Sequence, residues 1–198
     1  MSEHYYSSQP EVKSSPETFT AELRGREFSF TSDRGVFSKG EVDEGSRLLV
    51  ENFAFPAVEG RVLDIGCGYG PVGLALAADT EHEVVLADVN ERAVELSRKN
   101  ADRAGLRNVE VVKSDQFEAI EGSFAAIVSN PPIRAGKNVV HSMITKAREH
   151  LLEQGELWVV IRKKQGAPSA RAHMETLFAE VEIVRRNKGF YVLRGKNI

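Results

Sequence analysis

Short, nearly continuous apolar runs alternate along this chain with longer stretches that mix apolar and charged residues. Runs at residues 61–65, 83–87, 109–112, 124–129 and 156–161 have the character of strands buried on both faces, as in a parallel sheet. The stretches between them predict helices over residues 72–78, from Asn90 to about residue 104, over 139–152 and over about 169–178. Two further apolar segments, 181–186 and 190–194, predict a closing pair of strands. Ahead of this series, residues 19–23 and 27–31 flank Arg24-Gly25-Arg26, which predicts a hairpin. Asp43 or Ser46 then caps a helix running to about residue 53, with Leu48, Leu49 and Phe53 inward.

This pattern divides the chain into a flexible N-terminal arm, residues 1–17, and one domain over 18–198. Within the domain, 18–56 form a hairpin, lid and helix, and 57–198 the α/β core. The arm is polar, with five serines and two prolines, and Tyr5 and Tyr6 are read as docking it to the body. A chain of 198 residues with 41% hydrophobic content is long enough to bury a full core. The net charge of −3 does not advertise a nucleic-acid partner, but a local basic face suffices for phosphate contact. A single cysteine, Cys67, excludes an internal disulfide and suits a reducing compartment. No apolar run approaches a membrane span and no signal-peptide core is visible, so the expectation is a cytoplasmic monomer or weak homodimer without membrane association.

The candidate chemistry begins at Val62-Leu63-Asp64-Ile65-Gly66-Cys67-Gly68-Tyr69-Gly70-Pro71-Val72-Gly73. Strand, glycine turn and helix in that order turn backbone N–H groups and a helix N-terminus toward a ligand. Gly66, Gly68 and Gly70 permit positive φ or close backbone approach, and Pro71 suits the first helical position. Residues 68–73 satisfy the dinucleotide fingerprint G-x-G-x-x-G, and Asp88 stands near the spacing of a ribose-binding acid, so NAD remains a reading of this loop. Asp64 favours a different ligand. A carboxylate before the first glycine would repel a pyrophosphate, whereas it attracts the sulfonium and ammonium charges of S-adenosylmethionine. Cys67, between two glycines, is read as a small residue chosen for space.

Acids recur at the ends of three successive strands, at positions 64, 88 and 115. Asp88 is placed to accept from ribose hydroxyls; Asn90 can cap the helix that follows; Asp115, with Gln116 and Phe117 beside it, can accept from an adenine amine. The fourth strand runs into Asn130-Pro131-Pro132-Ile133. Two prolines remove two backbone donors and stiffen the turn. The Asn130 side-chain oxygen and the Pro131 carbonyl can then accept both hydrogens of a planar NH2 group and direct its lone pair at an electrophile.

Taken together, Asp64 through Gly70, Asp88, Asp115 and Asn130-Pro131-Pro132 resemble the motif series of class I S-adenosylmethionine-dependent methyltransferases. Gly35-Val36-Phe37-Ser38, Asp43-Glu44-Gly45-Ser46, Asn130 through Lys137 and Lys188 through Val192 resemble, within that superfamily, the 16S rRNA guanine-N2 methyltransferases in a single-domain form. The resemblance implies a Rossmann-like, mostly parallel seven-stranded sheet of order 3-2-1-4-5-7-6 with helices on both faces. It implies that S-adenosylmethionine is held by Asp64, Gly66, Cys67, Gly68 and Gly70, by Asp88, Val89 and Asn90, and by Ser114, Asp115, Gln116 and Asn130. It further implies that Asn130, Pro131, Pro132 and Ile133 present the target amine of rRNA or the small ribosomal subunit, with no metal. Protein glutamine and adenine carry the same kind of amine and stay open as targets. Where the family's N-P-P turn is followed by an aromatic, this chain has Ile133, with Arg134 beside it to cover a base.

The front portion is read either as a flap covering one end of the sheet or as a lid over the cofactor, with Phe37 and Asp43 near the site. Arg134, Lys137 and the run Arg162-Lys163-Lys164 fall on the same edge as the N-P-P turn, and Arg185, Arg186 and Lys188 join them as candidate phosphate contacts. A merely solvated loop accounts for the same charges. His141 is read as a packing or surface residue.

Overall fold

A computed structural model describes residues 8–132, 134 and 136–198. Two antiparallel strands, β1 (Glu17–Leu23) and β2 (Arg26–Ser32), open the domain. Their turn is two residues, Arg24 and Gly25, both at positive φ, because Arg26 already pairs with Leu23. The three-residue turn expected from the sequence is shorter by one for that reason. Helix α1 (Glu44–Asn52) follows, capped by Asp43, whose carboxylate accepts from the Gly45 and Ser46 N–H groups.

The core then alternates β3 (Val62–Ile65), α2 (Pro71–Ala77), β4 (Val84–Asp88), α3 (Glu91–Arg103), β5 (Val109–Lys113), β6 (Phe124–Ser129), α4 (Lys137–Glu149) and β7 (Leu151–Arg162). A short 3-10 turn, Lys163–Gln165, leads to α5 (Ala167–Glu175) and the hairpin β8 (Glu180–Asn187) and β9 (Phe190–Lys196). The seven strands from β3 onward form one sheet in the order β5-β4-β3-β6-β7-β9-β8. Counted within the sheet this is 3-2-1-4-5-7-6, with β9 antiparallel to both neighbours and the rest parallel.

Each face of the sheet has its own apolar core. One joins Leu49, Val50, Phe53, Leu74, Leu76, Leu96 and Trp158 under the hairpin, α1, α2 and α3; the other joins Leu63, Ile127, Ile144, Leu157 and Met174 under α4 and α5. Trp158 is buried as expected, and its indole N–H donates to buried Glu156 at 2.9 Å. Burying these side chains is the main favourable term in a fold of this size.

The helix expected over 139–152 ends at Glu149, and the strand expected over 156–161 starts at Leu151. Leu151 and Leu152 would suit either element. The sheet takes them, because the Phe124 N–H reaches the His150 carbonyl at 2.8 Å and Leu151 pairs with Phe124. A register shift between Phe124 and Ala126 absorbs the extra residues. Gly155 lies at that shift, where an added Cβ would come within 2.9–3.1 Å of three carbonyl oxygens.

Of the segment read as an arm, the described part is docked. Ser8 O accepts from the Glu91 N–H, Val12 O from Arg92, and buried Asp33 collects Ser14 Oγ, the Ser15 N–H and the Arg34 N–H. Burial alone would raise the Asp33 carboxyl; these donors and Arg92 bring it below the usual range. Tyr5 and Tyr6 lie outside the described residues.

Candidate active site

Because β3, β4, β5 and β6 are parallel neighbours, their carboxyl ends share one edge of the sheet. The chain leaves β5 and crosses to the other side of β3 to form β6, so the edge beyond β3 is a topological switch point, where open α/β sheets bind ligands.

The glycine loop leaves β3 with its backbone tied to the sheet: the Gly66 and Cys67 N–H groups both donate to Ala87 O, at 2.8 and 3.0 Å. Gly66 and Gly68 adopt φ of 72° and 59°, and an added Cβ on either would enter open space. The loop therefore presents bare backbone to a crevice rather than to protein. Gly70, also at positive φ, ends the loop against Leu74 and Ser97, and Pro71 opens α2.

Asp64 lies beneath the loop. It is 3% exposed, and its Oδ2 accepts from the Gly73 N–H at 2.9 Å. Burial, eased by that hydrogen bond and reinforced by the nearby charge of Asp88, pushes its carboxyl up to about 7. Asp88, at the end of β4, takes the Gly68 N–H on Oδ2 and the Asn90 N–H on Oδ1, each at 2.9 Å. Burial raises its carboxyl also, against those backbone donors. Val89 sits between the two, partly buried. Asn90 caps α3 through Oδ1 and donates its amide to Gly35 O at 2.8 Å. Cys67 is buried with its thiol pushed well up, first by burial and then by Asp88 and Asp64, as suits a space-filling residue.

After β5, Ser114 is buried and shapes the turn: its hydroxyl donates to Gln116 O and accepts from the Ala119 N–H. Asp115 is exposed on the edge. Gln116 takes φ 49°, and its buried Oε1 has no hydrogen-bond partner. Phe117 departs from expectation. It is turned into the apolar core that also holds Ile120 and Phe124, and stacks on His150 at 4.9 Å. Open space over two positive-φ glycines and an orphaned amide oxygen beside an exposed acid fit a nucleoside-bearing cofactor along β3, β4 and β5.

Beyond β6, Asn130 is partly buried, Pro131 buried and Pro132 partly buried. The Asn130 amide donates to both oxygens of Asp43, at 3.2 and 3.4 Å, and to Ser46 Oγ at 3.1 Å. Sequence reasoning put Asp43 near the site but not in contact with Asn130, and nothing local signals a bond across 87 residues. The segment between β2 and α1 runs over the loop: Tyr69 donates to Glu41 O at 2.8 Å, and Phe37 stands 50% exposed. Ile133 lies outside the described residues.

Arg134, Lys137, Lys163 and Lys164 are exposed on the rim. Arg162 packs its guanidinium over Phe190 at 4.2 Å, and Lys188 pairs with Glu44 at 2.6 Å. Arg185 and Arg186 lie on the edge strand β8, which places them apart from the N-P-P turn. His141 stacks on His173 at 4.3 Å between α4 and α5, in a packing role. Among the described residues no three His, Cys, Asp or Glu side chains are grouped to hold a metal, and no helix is long and apolar enough to cross a membrane.

A Rossmann-like sheet, a glycine cradle at its switch point and an N-P-P turn on the same edge define an enzyme of the class I methyltransferase type. Comparison with known proteins agrees. The family model described as methyltransferase small domain matches residues 27–194, and the chain belongs to that family of S-adenosylmethionine-dependent methyltransferases. This decides between the two cofactors the loop had left open. Over the full length of both proteins the chain is 55% identical to the uncharacterized protein YbxB of Bacillus subtilis (strain 168). It is 36% identical to the ribosomal RNA small subunit methyltransferase C of Aeromonas hydrophila, over 82% of this chain and 47% of that protein. The solved structure of the T. thermophilus 16S rRNA N2 G1207 methyltransferase, in complex with AdoMet and guanosine, superposes with a TM-score of 0.82 at 27% identity. That superposition covers 96% of this chain and 52% of the other. The chain thus spans about half the length of the small-subunit methyltransferase C relatives it matches.

Proposed function

We propose that this protein methylates the exocyclic N2 amine of a guanine in 16S rRNA, using S-adenosylmethionine. The observation that carries the reading is the Asn130 carboxamide. Its NH2 is committed to Asp43 and Ser46, so its oxygen is the end left to meet a substrate. A target amine has its lone pair delocalised into the ring and is a poor nucleophile. Asn130 Oδ1 and the Pro131 carbonyl accept its two hydrogens, turn the lone pair out of the ring and offset the positive charge that develops on nitrogen. The proton leaves after the nitrogen has become cationic, so no strong base is required in the site.

Bound S-adenosylmethionine supplies the electrophilic methyl. The residues assigned to it are Asp64, Gly66, Cys67, Gly68 and Gly70 for the methionine portion, Asp88, Val89 and Asn90 for the ribose, and Ser114, Asp115 and Gln116 for the adenine. Phe37 offers an exposed ring to a base, and Arg134, Lys137, Lys163 and Lys164 offer charge to phosphates. A guanosine-bound relative sharing the fold over most of this chain supports guanine as the base.

The test uses cofactor carrying a labelled methyl group, offered to 16S rRNA from a strain lacking this protein. Label recovered as N2-methylguanosine after nuclease digestion is the expected result. Label confined to protein, or to adenine, would overturn the assignment.

A further inference from the structure

We infer that Asp43 and Ser46 are positioning residues for methyl transfer, acting as a clamp that fixes which end of the Asn130 carboxamide faces the substrate. This deepens the N-P-P reading and rests on it.

A carboxamide has two ends of nearly equal size and opposite chemistry. Turned one way, Asn130 offers an acceptor to the target amine; turned the other way, it offers a second donor and repels it. Nothing in the N-P-P sequence chooses between them. The choice is made from 87 residues away. Asp43 collects four N–H contacts: Gly45 and Ser46 from the backbone at 2.9 and 3.1 Å, and Asn130 Nδ2 at 3.2 and 3.4 Å. The Ser46 hydroxyl adds a third acceptor for Asn130 at 3.1 Å. Carboxylate oxygens already collecting N–H groups accept and do not donate, so the atom against them is the amide nitrogen.

Gly45 makes the approach possible. An added Cβ there would lie 2.9 Å from the Phe190 ring, 3.1 Å from Asp43 Oδ1 and 3.4 Å from Asn130 Nδ2. The clamp is therefore built where the N-terminus of α1 meets β9, between β7 and β8 in the sheet, and the end of β6.

The informative variant is Asp43→Asn, because asparagine keeps the helix cap. Its Oδ1 can hold the Gly45 and Ser46 N–H groups, while its new NH2 takes the place of Oδ2, the acceptor that Asn130 Nδ2 meets at 3.4 Å beside its 3.2 Å contact to Oδ1. Two donors repel at that position and the carboxylate charge is gone, so the hold on the Asn130 nitrogen weakens and its amide is released to turn over. The expected result is a kcat lower by about 100-fold, the cost of misdirecting one preorganised group, with cofactor Kd and thermal midpoint near wild type. Asn130→Asp should be impaired as well, since two carboxylates would then meet. Combining it with Asp43→Asn restores a donor–acceptor pair, so the double variant should turn over faster than either single one. Wild-type kcat in Asp43→Asn, or a double variant no better than the slower single, would overturn the clamp.

A second measurement is independent of substrate. The Asn130 side-chain NH2 resonances, identified by their loss in Asn130→Ala, should shift in Asp43→Asn; unchanged resonances would overturn the clamp even if no RNA were methylated. Failure of wild type on rRNA together with shifted resonances would count against the substrate and leave the clamp standing.

Discussion

Asp64 is a carboxyl group placed where ionisation is costly, and the consequence can be read from stability. Its folded-state pKa, raised by burial to about 7, stands above the unfolded value near 3.8. The folded protein therefore binds more protons between those values, and the stability this group contributes declines as pH rises through that window. About three units correspond to an upper bound on the order of 4 kcal/mol. Asp64→Asn keeps an acceptor for the Gly73 N–H and removes the titration. Without cofactor, its thermal midpoint should match wild type at about pH 3.8 and below and exceed it by several degrees at pH 8. His141 has a lowered pKa, from burial and then from His173 and Lys137, and so pulls the opposite way below about pH 6.5. Comparing variant with wild type cancels it. Identical pH profiles in the two would mean that Asp64 is not strained. The functional residues should separate in a second way. Asn130→Ala should lower kcat far more than cofactor affinity, and Asp88→Ala should cost about 1.5–3 kcal/mol of cofactor binding, the range for hydrogen bonds to a charged group. Titration calorimetry and steady-state kinetics on both variants check the split.

At the scale of elements, the glycine loop and α2 are held by a close fit between helix and strand. An added Cβ at Gly73 would lie 2.7 and 2.9 Å from Leu86 of β4 and 3.0 Å from Asp64 Oδ2. Alanine is favoured in a helix by about 1 kcal/mol over glycine, but overpacking costs typically 1–3 kcal/mol, and here the clash also presses on the bond that holds the loop. Gly73→Ala should be net destabilising in urea titration and should weaken cofactor binding; a gain in stability would show that α2 can move freely away from the sheet. The strands that carry this fit were legible in the sequence because a strand buried on both faces is written as an unbroken apolar run. The order 3-2-1-4-5-7-6 came from resemblance and agrees with the sheet. The boundary between α4 and β7 was not legible, since Leu151 and Leu152 satisfy either period and only pairing with Phe124 decides. At the site, the placement of Asp64, Asp88 and Asn130 at the carboxyl ends of β3, β4 and β6 was readable from the apolar runs they close. The burial of Asp64 beneath the loop, the inward turn of Phe117 and the bond from Asp43 to Asn130 were not. Each depends on which surfaces meet after packing, and local spacing carries no record of that.

For the whole molecule, the net charge of −3 conceals an uneven distribution. Lys137 opens α4, and Lys163 and Lys164 follow β7. Both places belong to the carboxyl edge that also carries Asn130, and none of the three lysines is held in an ion pair among the described residues. Neighbouring cations differ: Lys188 is committed to Glu44, and Arg162 lies over Phe190. Free lysines beside the proposed nucleobase site are suited to phosphates, whose neutralisation releases counterions and makes binding fall with salt. Each phosphate contact contributes about 0.7 to that slope for single-stranded nucleic acid and about 0.9 for duplex. Replacing Lys163 and Lys164 together by glutamate should therefore weaken binding to 16S rRNA fragments most at low salt. It should also flatten the plot of log affinity against log salt concentration by between one and two units, if both lysines touch phosphate. Cofactor affinity and kcat at saturating RNA should change little, because both lysines are exposed on the turn after β7. Filter binding at several salt concentrations measures the slope directly. An unchanged slope would make the rim an ordinary solvated loop and leave recognition to Arg134, Lys137 and the lid around Phe37.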